Sequence, residues 1–185
     1  VAGRLGDAFR EQAPGIVIEI ITANDSLDLI RREADIAIRH GRPQHGDLIA
    51  KRIAETTGHL CAAVSYLDRI GRPELPADLA DADFIGFEHP DRMVEPFNAM
   101  GVPVTRDNFK ICTASGSVIL ALMERGLGIG AMTKDIAERW PTLELVLPEL
   151  PPFEVPTWLI THRELHTSRR IRLVFDTIAD YFAPA

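Results

Sequence analysis

The sequence predicts an α/β fold in which a largely parallel sheet carries helices on both faces. Short β-branched apolar runs alternate along it with segments of helical apolar spacing, and Gly or Pro punctuates the joints. Hydrophobic residues make up 46% of the chain and charged residues 25%, enough apolar material for a real core.

The elements follow in order. Val1 to Ala13 places Val1, Leu5, Ala8 and Phe9 on one helical face, and Pro14-Gly15 stops it. Ile16 to Ile21 is β-branched and apolar, which predicts a strand. Asn24-Asp25-Ser26 offers cap oxygens for a short helix through Arg32. Asp35 to Arg39 predicts a short strand, Gly41 to Gly46 a loop, and Leu48 to Val64 a long extended stretch. Ser65 to Ile70 reads as a helix ending at Gly71, and Pro73 and Pro76 stiffen the connection that follows.

Beyond it, Phe84 to Phe87 predicts a strand, Pro90 to Met100 a short helix and Phe109 to Thr113 another strand. A helix from about Ser115 to Arg125 closes at Gly126. Ile129 to Met132, Leu143 to Leu147 and Val155 to Thr161 read as strands, and Asp135 to Trp140 as a helix. Ser168 to Phe182 is a final amphipathic helix, with Ile171, Val174, Phe175, Ile178 and Phe182 on one side. There is no internal repeat and no low-complexity tract.

Composition excludes several classes. No apolar run reaches the roughly 18 residues of a membrane span, and no secretory signal pattern is visible. The chain opens on Val1 and not on Met, so that second observation carries little. The net charge is −7 and the basic residues are scattered. A surface that neutralises phosphates needs clustered Lys and Arg, so neither bare DNA nor an anionic membrane is expected as a direct partner. Cys61 and Cys112, the two cysteines, sit in apolar runs; a disulfide between them is the alternative, but two are too few for a framework, and they read as buried, reduced thiols, which points to the cytoplasm.

Few residues carry chemistry. Thr113-Ala114-Ser115-Gly116-Ser117 joins a strand end to a helix start, where free N–H groups and hydroxyls suit a carboxylate; plain N-capping by Ser115 explains it equally well. Arg39, followed by His40, could pair bidentately with an acidic ligand or simply form a surface ion pair. Phe87 and Glu88 end a strand, with Phe87 also readable as core. Asn24 to Ser26 is a further, weaker strand-to-helix turn. His162 and His166 have a spacing compatible with a metal but no third ligand nearby, so surface histidines and no metal are expected. Gly126 to Ala131 fits a dinucleotide fingerprint loosely, but it follows a helix and opens a strand, the reverse of the required order. No nucleophile motif is present, so neither an enzyme nor a cofactor is expected.

The run Leu48-Ile49-Ala50-Lys51-Arg52-Ile53, Cys61-Ala62-Ala63, Ser65-Tyr66-Leu67, Gly71-Arg72-Pro73, Pro76-Ala77-Asp78-Leu79 and Phe84-Ile85 resembles the YL…GxPxxPxDL stretch of LysR-type transcriptional regulators. Phe9, Pro14 and Ile16 to Ile20 resemble that family's first helix and second strand, and Ala34 to Arg39 its aDiaiR strand. Gly126-Leu127-Gly128-Ile129-Gly130 resembles its GxGi strand, and Trp158 to Phe182 its closing strand and helix. One departure is Val64-Ser65, where many members have a proline.

The resemblance implies the effector-sensing part of such a regulator: two Rossmann-like lobes joined by two crossings, similar to type 2 periplasmic binding proteins. Lobe I would be residues 1–56 plus 153–185 and lobe II residues 57–152. A small-molecule effector would lie between the lobes, bound by Arg39, His40, Phe87, Glu88, Thr113, Ser115, Gly116 and Ser117; Arg39 and the helix start suggest an organic anion. The family's first strand and its winged helix-turn-helix would precede Val1, and DNA would be reached only through that N-terminal domain. A homodimer or homotetramer is implied, the dimer with Val1–Ala13 and Ser117–Arg125 at its interface. A solute-binding protein of a transporter, with the same fold, is the alternative.

Overall fold

A computed structural model of the chain describes residues 2–21, 29, 33–43 and 45–183. Two compact units emerge: Val1–Thr56 with Val155–Ala185, and Thr57–Glu154. Most of the helix expected from Asn24 to Arg32 lies outside the described residues.

The first unit holds helix α1 (Ala2–Gln12), strand β1 (Ile36–Arg39), the start of strand β2 (Leu48–Ala63), most of strand β7 (Phe153–His162) and a C-terminal helix, Arg169–Tyr181. β1 runs antiparallel to β7, pairing Ile36 with Thr161 and Arg39 with Trp158. The C-terminal helix buries Val174, Phe175, Ile178 and Ala179 against Ile53 and Leu159, with Leu5 and Phe9 of α1 on the margin. That is the apolar stripe its helical spacing demands. Thr177, buried on the same face, places its hydroxyl 2.9 Å from Gln12 Oε1. Thr161, fully buried in β7, donates to the Asp35 carbonyl at 2.8 Å.

Ile16 to Ile21 is a correction. Its residues form no ladder with any strand among the described residues, although Ile16 and Ile18 lean on the core. Val17 is 96% exposed and Ile20 76%. β propensity records fit to a neighbouring strand more than a backbone preference, and here no described neighbour supplies that fit.

The second unit begins at the far end of β2 and contains α2 (Val64–Ile70), β3 (Phe84–Phe87), α3 (Asp91–Ala99), β4 (Phe109–Thr113), α4 (Gly116–Glu124), β5 (Gly130–Thr133), α5 (Lys134–Ala137) and β6 (Leu143–Leu145). The C-terminal helix of the first unit is therefore α6. Cys61 of β2 pairs with Gly130 on one side and Leu145 on the other, both antiparallel. Leu60 to Ala63 is wholly buried, on both faces of the sheet, and a strand covered on both faces reads as a continuous apolar run. β3 and β4 pair in parallel, and an isolated parallel bridge joins Phe84 to Ile129. The registers of β1 with β7 and of β2 with β5 and β6 are antiparallel, so the expectation of a largely parallel sheet is corrected. The long extended segments run against their neighbours, which strand-and-helix alternation alone does not reveal.

Phe84, Phe97 and Phe109 meet with ring centroids 5.7 to 6.2 Å apart in tilted geometry. Tyr66, 1% exposed, accepts from the Asp83 N–H at 2.7 Å through its hydroxyl. Arg69 stacks over that ring at 4.9 Å and donates to the Gly126 carbonyl at 2.8 Å. Asp78 accepts from the Leu75 and Glu74 N–H groups, at 2.8 and 2.9 Å, and these two bonds hold its carboxyl below the usual range. Asn108 donates to the Ala80 and Ala82 carbonyls and so ties the turn ahead of β3 to the start of β4.

Two glycines have steric reasons to be glycine. Gly126 follows α4 at φ +69 and lends its N–H to the Met123 carbonyl at 2.8 Å. Gly128, at φ +156, would bring a Cβ within 2.7 Å of the Asp83 carbonyl oxygen. That close approach lets Ile129 donate to the same carbonyl at 2.9 Å and run beside β3.

The cysteines divide. Cys61 is fully buried, and burial pushes its thiol up to about 11. Cys112 is exposed, which corrects the expectation that both are buried; both are free thiols. His166 also departs from the surface reading, since its Nδ1 is buried without a hydrogen-bond partner and its ring meets Phe175 edge-on at 5.1 Å.

Replacing Gly128 with alanine should cost roughly 1–3 kcal/mol through backbone strain. Gly15→Ala, with open space around its Cβ, should leave the thermal midpoint nearly unchanged. A Gly128→Ala melt matching that control would refute the close-approach argument. A thiol reagent at mildly alkaline pH should modify one cysteine in the folded chain, because Cys61 stays protonated and covered. Cys112→Ser should abolish that labelling, and fast modification of both thiols would contradict it.

Candidate functional site

Within the second unit, the parallel register of β3 and β4 sets Phe87 directly beside Thr113. Both strands therefore end at the same edge, where helix-forming segments leave each of them. In folds of this kind ligands gather at that edge, because helix starts point unpaired N–H groups across it.

Thr113 Oγ1 accepts from the Ser115 N–H at 3.2 Å and turns the chain out of β4. Ser115, extended at φ −105 and ψ 115, is the N-cap of α4. Its hydroxyl accepts from the Val118 N–H at 3.5 Å, a long contact, and lies 2.9 Å from the Ser117 hydroxyl. The first intrahelical bond runs from Ile119 N–H to the Ser115 carbonyl at 3.0 Å. The N–H groups of Gly116 and Ser117 are left without an acceptor among the described residues. Space around Gly116 is open, with no heavy atom within 4 Å of the Cβ it lacks. Two N–H donors and a pair of linked hydroxyls thus converge at a positive helix end, an arrangement chemically suited to a carboxylate.

Phe87 and Glu88 border this turn. Glu88 donates its N–H to the Thr113 carbonyl at 3.1 Å and sits in the left-handed region at φ 54. A non-glycine residue held there marks a constrained turn. Phe87 is 41% exposed, so the core reading does not hold for it. Its N–H lies 3.2 Å from Met93 Sδ of α3, a neighbour that the sequence reading missed and that only the α3 packing reveals.

Arg39 and His40 lie in the first unit, at the end of β1. Arg39 stands opposite Trp158 in the β1–β7 register. His40 Nδ1 lies 3.3 Å from Thr157 Oγ1. The Arg42 guanidinium rests over the Trp158 ring at 5.6 Å, and the buried Trp158 Nε1 has no hydrogen-bond partner. Thr157, Trp158 and Arg42 were not singled out from sequence; alternation along β7 offered a signal only once its partner strand was known. The structure thus gathers Phe87, Glu88, Thr113, Ser115, Gly116 and Ser117 into one locality of the second unit, and Arg39 and His40 into one of the first. Asn24 to Ser26 lies outside the described residues. No group of three or more His, Cys, Asp or Glu suited to a metal occurs among the described residues.

Known proteins match nearly the whole chain. The HTH-type transcriptional activator AaeR of Escherichia coli K12 is 25% identical over 98% of this chain and 60% of its own length. The transcriptional regulator CrgA of Neisseria meningitidis serogroup C is 28% identical over 72% of this chain and 47% of its own. The solved CrgA regulatory domain superposes with a TM-score of 0.83 at 22% identity, covering 99% of this chain and 92% of that one. Full-length AphB of Vibrio cholerae, described as a virulence activator, gives 0.74 at 21% identity, over 98% and 63%. The chain spans 60% of the length of AaeR. The fold is accordingly α/β with two Rossmann-like lobes, as in type 2 periplasmic binding proteins. With residues 2–183 matched by the LysR substrate binding domain family, the chain belongs to that family.

Proposed function

We propose that this chain is the effector-sensing domain of a LysR-type transcriptional regulator and that its effector is a small organic anion. The observation that carries the reading is the β4–α4 turn, where the Gly116 and Ser117 N–H groups stand uncommitted at a helix start, beside the linked Ser115 and Ser117 hydroxyls. Thr113 shapes the turn, and Phe87 and Glu88 form its border. Arg39 and His40 belong to the proposal as further contacts to the same ligand.

The matched relatives are named as regulators of transcription, which favours this reading over a transporter's solute-binding protein. It involves no turnover. A ligand acts here by stabilising one arrangement of the domain over another, and its influence equals that difference in affinity. DNA contact through a separate N-terminal domain, work in the cytoplasm, and dimerisation through α1 and α4 all belong to the same proposal. No described helix is long and apolar enough to cross a membrane.

Thermal melting against a panel of small carboxylates provides the test. A ligand at a hundred times its Kd stabilises the native state by about 2.7 kcal/mol, so a true effector raises the midpoint by several degrees. Ser117→Ala and Arg39→Ala should each reduce that rise while leaving the unliganded midpoint nearly in place. A panel in which only neutral compounds raise the midpoint would refute the anion reading.

A further inference from the structure

The start of α6 holds three arginines within four positions. Its first turn holds Arg169, Arg170 and Arg172 and no acidic residue, and Ser168 provides no side-chain cap. Positive charge is disfavoured there by the helix dipole. None of the three guanidinium groups has a hydrogen-bond or ion-pair partner among the described residues. Leu173 lies four residues beyond Arg169 and three beyond Arg170, hence on the same surface as both. It is 39% exposed. An apolar knob is therefore flanked by cations that have no ion-pair partner among the described residues.

The second unit carries a surface with the opposite character. A groove of about 430 Å³ runs between the Pro73–Pro76 connection and the Leu147–Leu150 turn. Leu75, 64% exposed, and Leu150 give it apolar walls, and Glu74 and Glu149 also line it. Neither carboxylate has an ion-pair partner among the described residues. The sequence supports the same asymmetry. Twelve Lys and Arg balance twelve Asp and Glu in the first unit, against eight and fifteen in the second, so the whole net charge of −7 falls on the second.

We propose that the start of α6 docks into this groove on a second copy of the chain, with Leu173 against Leu75 and the arginines against Glu74 and Glu149. A second copy fits better than a nucleic acid, because phosphates would meet the arginines but leave Leu173 facing water. It also supplies both complementary surfaces at equal concentration. Copies related by a two-fold axis make the contact twice and close; successive copies related otherwise form a chain. The contact goes beyond the sensing reading and uses neither α1 nor α4, so it adds an association step to any dimer those helices form.

Sedimentation velocity over a concentration series tests it, with circular dichroism confirming that each variant folds. The unmodified chain should show an association step that weakens steeply at about 0.5 M salt, where charge attraction is screened within a few ångströms. Arg169→Glu with Arg172→Glu, and separately Glu74→Lys with Glu149→Lys, should each weaken the step at least about tenfold. An equimolar mixture of the two reversed variants should restore it as a mixed species. A step indifferent to both reversals, a mixture that stays as weak as its parts, or no association at all would overturn the proposal. So would a pair of arginine reversals that abolish binding to duplex DNA while self-association is unchanged.

Discussion

The parallel pairing of β3 with β4 is the constraint on which the candidate site depends. It places Phe87 beside Thr113, brings both strand ends to one edge, and so puts the start of α4 next to the constrained Glu88 turn. The pairing is held from below by the Phe84, Phe97 and Phe109 rings and from the side by Ile129, which bridges to Phe84. Ile129 reaches that position only because Gly128 permits backbone to pass close to the Asp83 carbonyl. A steric allowance at one glycine is thus transmitted, through a short ladder, to the spacing of N–H donors about a strand's length away.

Several sequence features that read as family signature have local mechanical reasons. Tyr66 closes a hydrogen bond on the Asp83 backbone, and Arg69 links its ring to the Gly126 carbonyl that ends α4. Asp78 gathers two backbone N–H groups and lets Leu79 drop fully into the core. The Tyr66 and Arg69 bonds cross between elements far apart in sequence and the Asp78 bonds close a local turn; together they fix the scaffold behind the candidate turn without entering it. A division of labour follows: rigid elements position the turn, and the turn keeps its polar groups available.

The elements were legible wherever local physics decides them. Helices α1, α2, α4 and α6 follow from apolar spacing and from Pro14, Gly71 and Gly126 as stops; the run into β2 follows from its apolar length. Pairing was not legible, because strand direction depends on where the chain returns, and the long strands β2 and β7 run antiparallel to β5, β6 and β1. Ile16 to Ile21 failed for a related reason, since a β-branched run becomes a strand only beside a partner. Of the candidate site, the Thr113–Ser117 turn could be found from its strand-to-helix position and its hydroxyl residues. Met93, Thr157 and Trp158 could not, because their relevance arises from packing across elements. Cys112 was misread as buried because an apolar neighbourhood in sequence says nothing about which edge a side chain faces.

Nuclear magnetic resonance would test the central claim most directly, by following backbone amide shifts while a stabilising carboxylate is titrated in. The account requires saturable movement of the Gly116 and Ser117 amide signals with a single dissociation constant. If those two signals stayed fixed while the ligand demonstrably bound and others moved, the uncommitted donors at the start of α4 would not be its binding site.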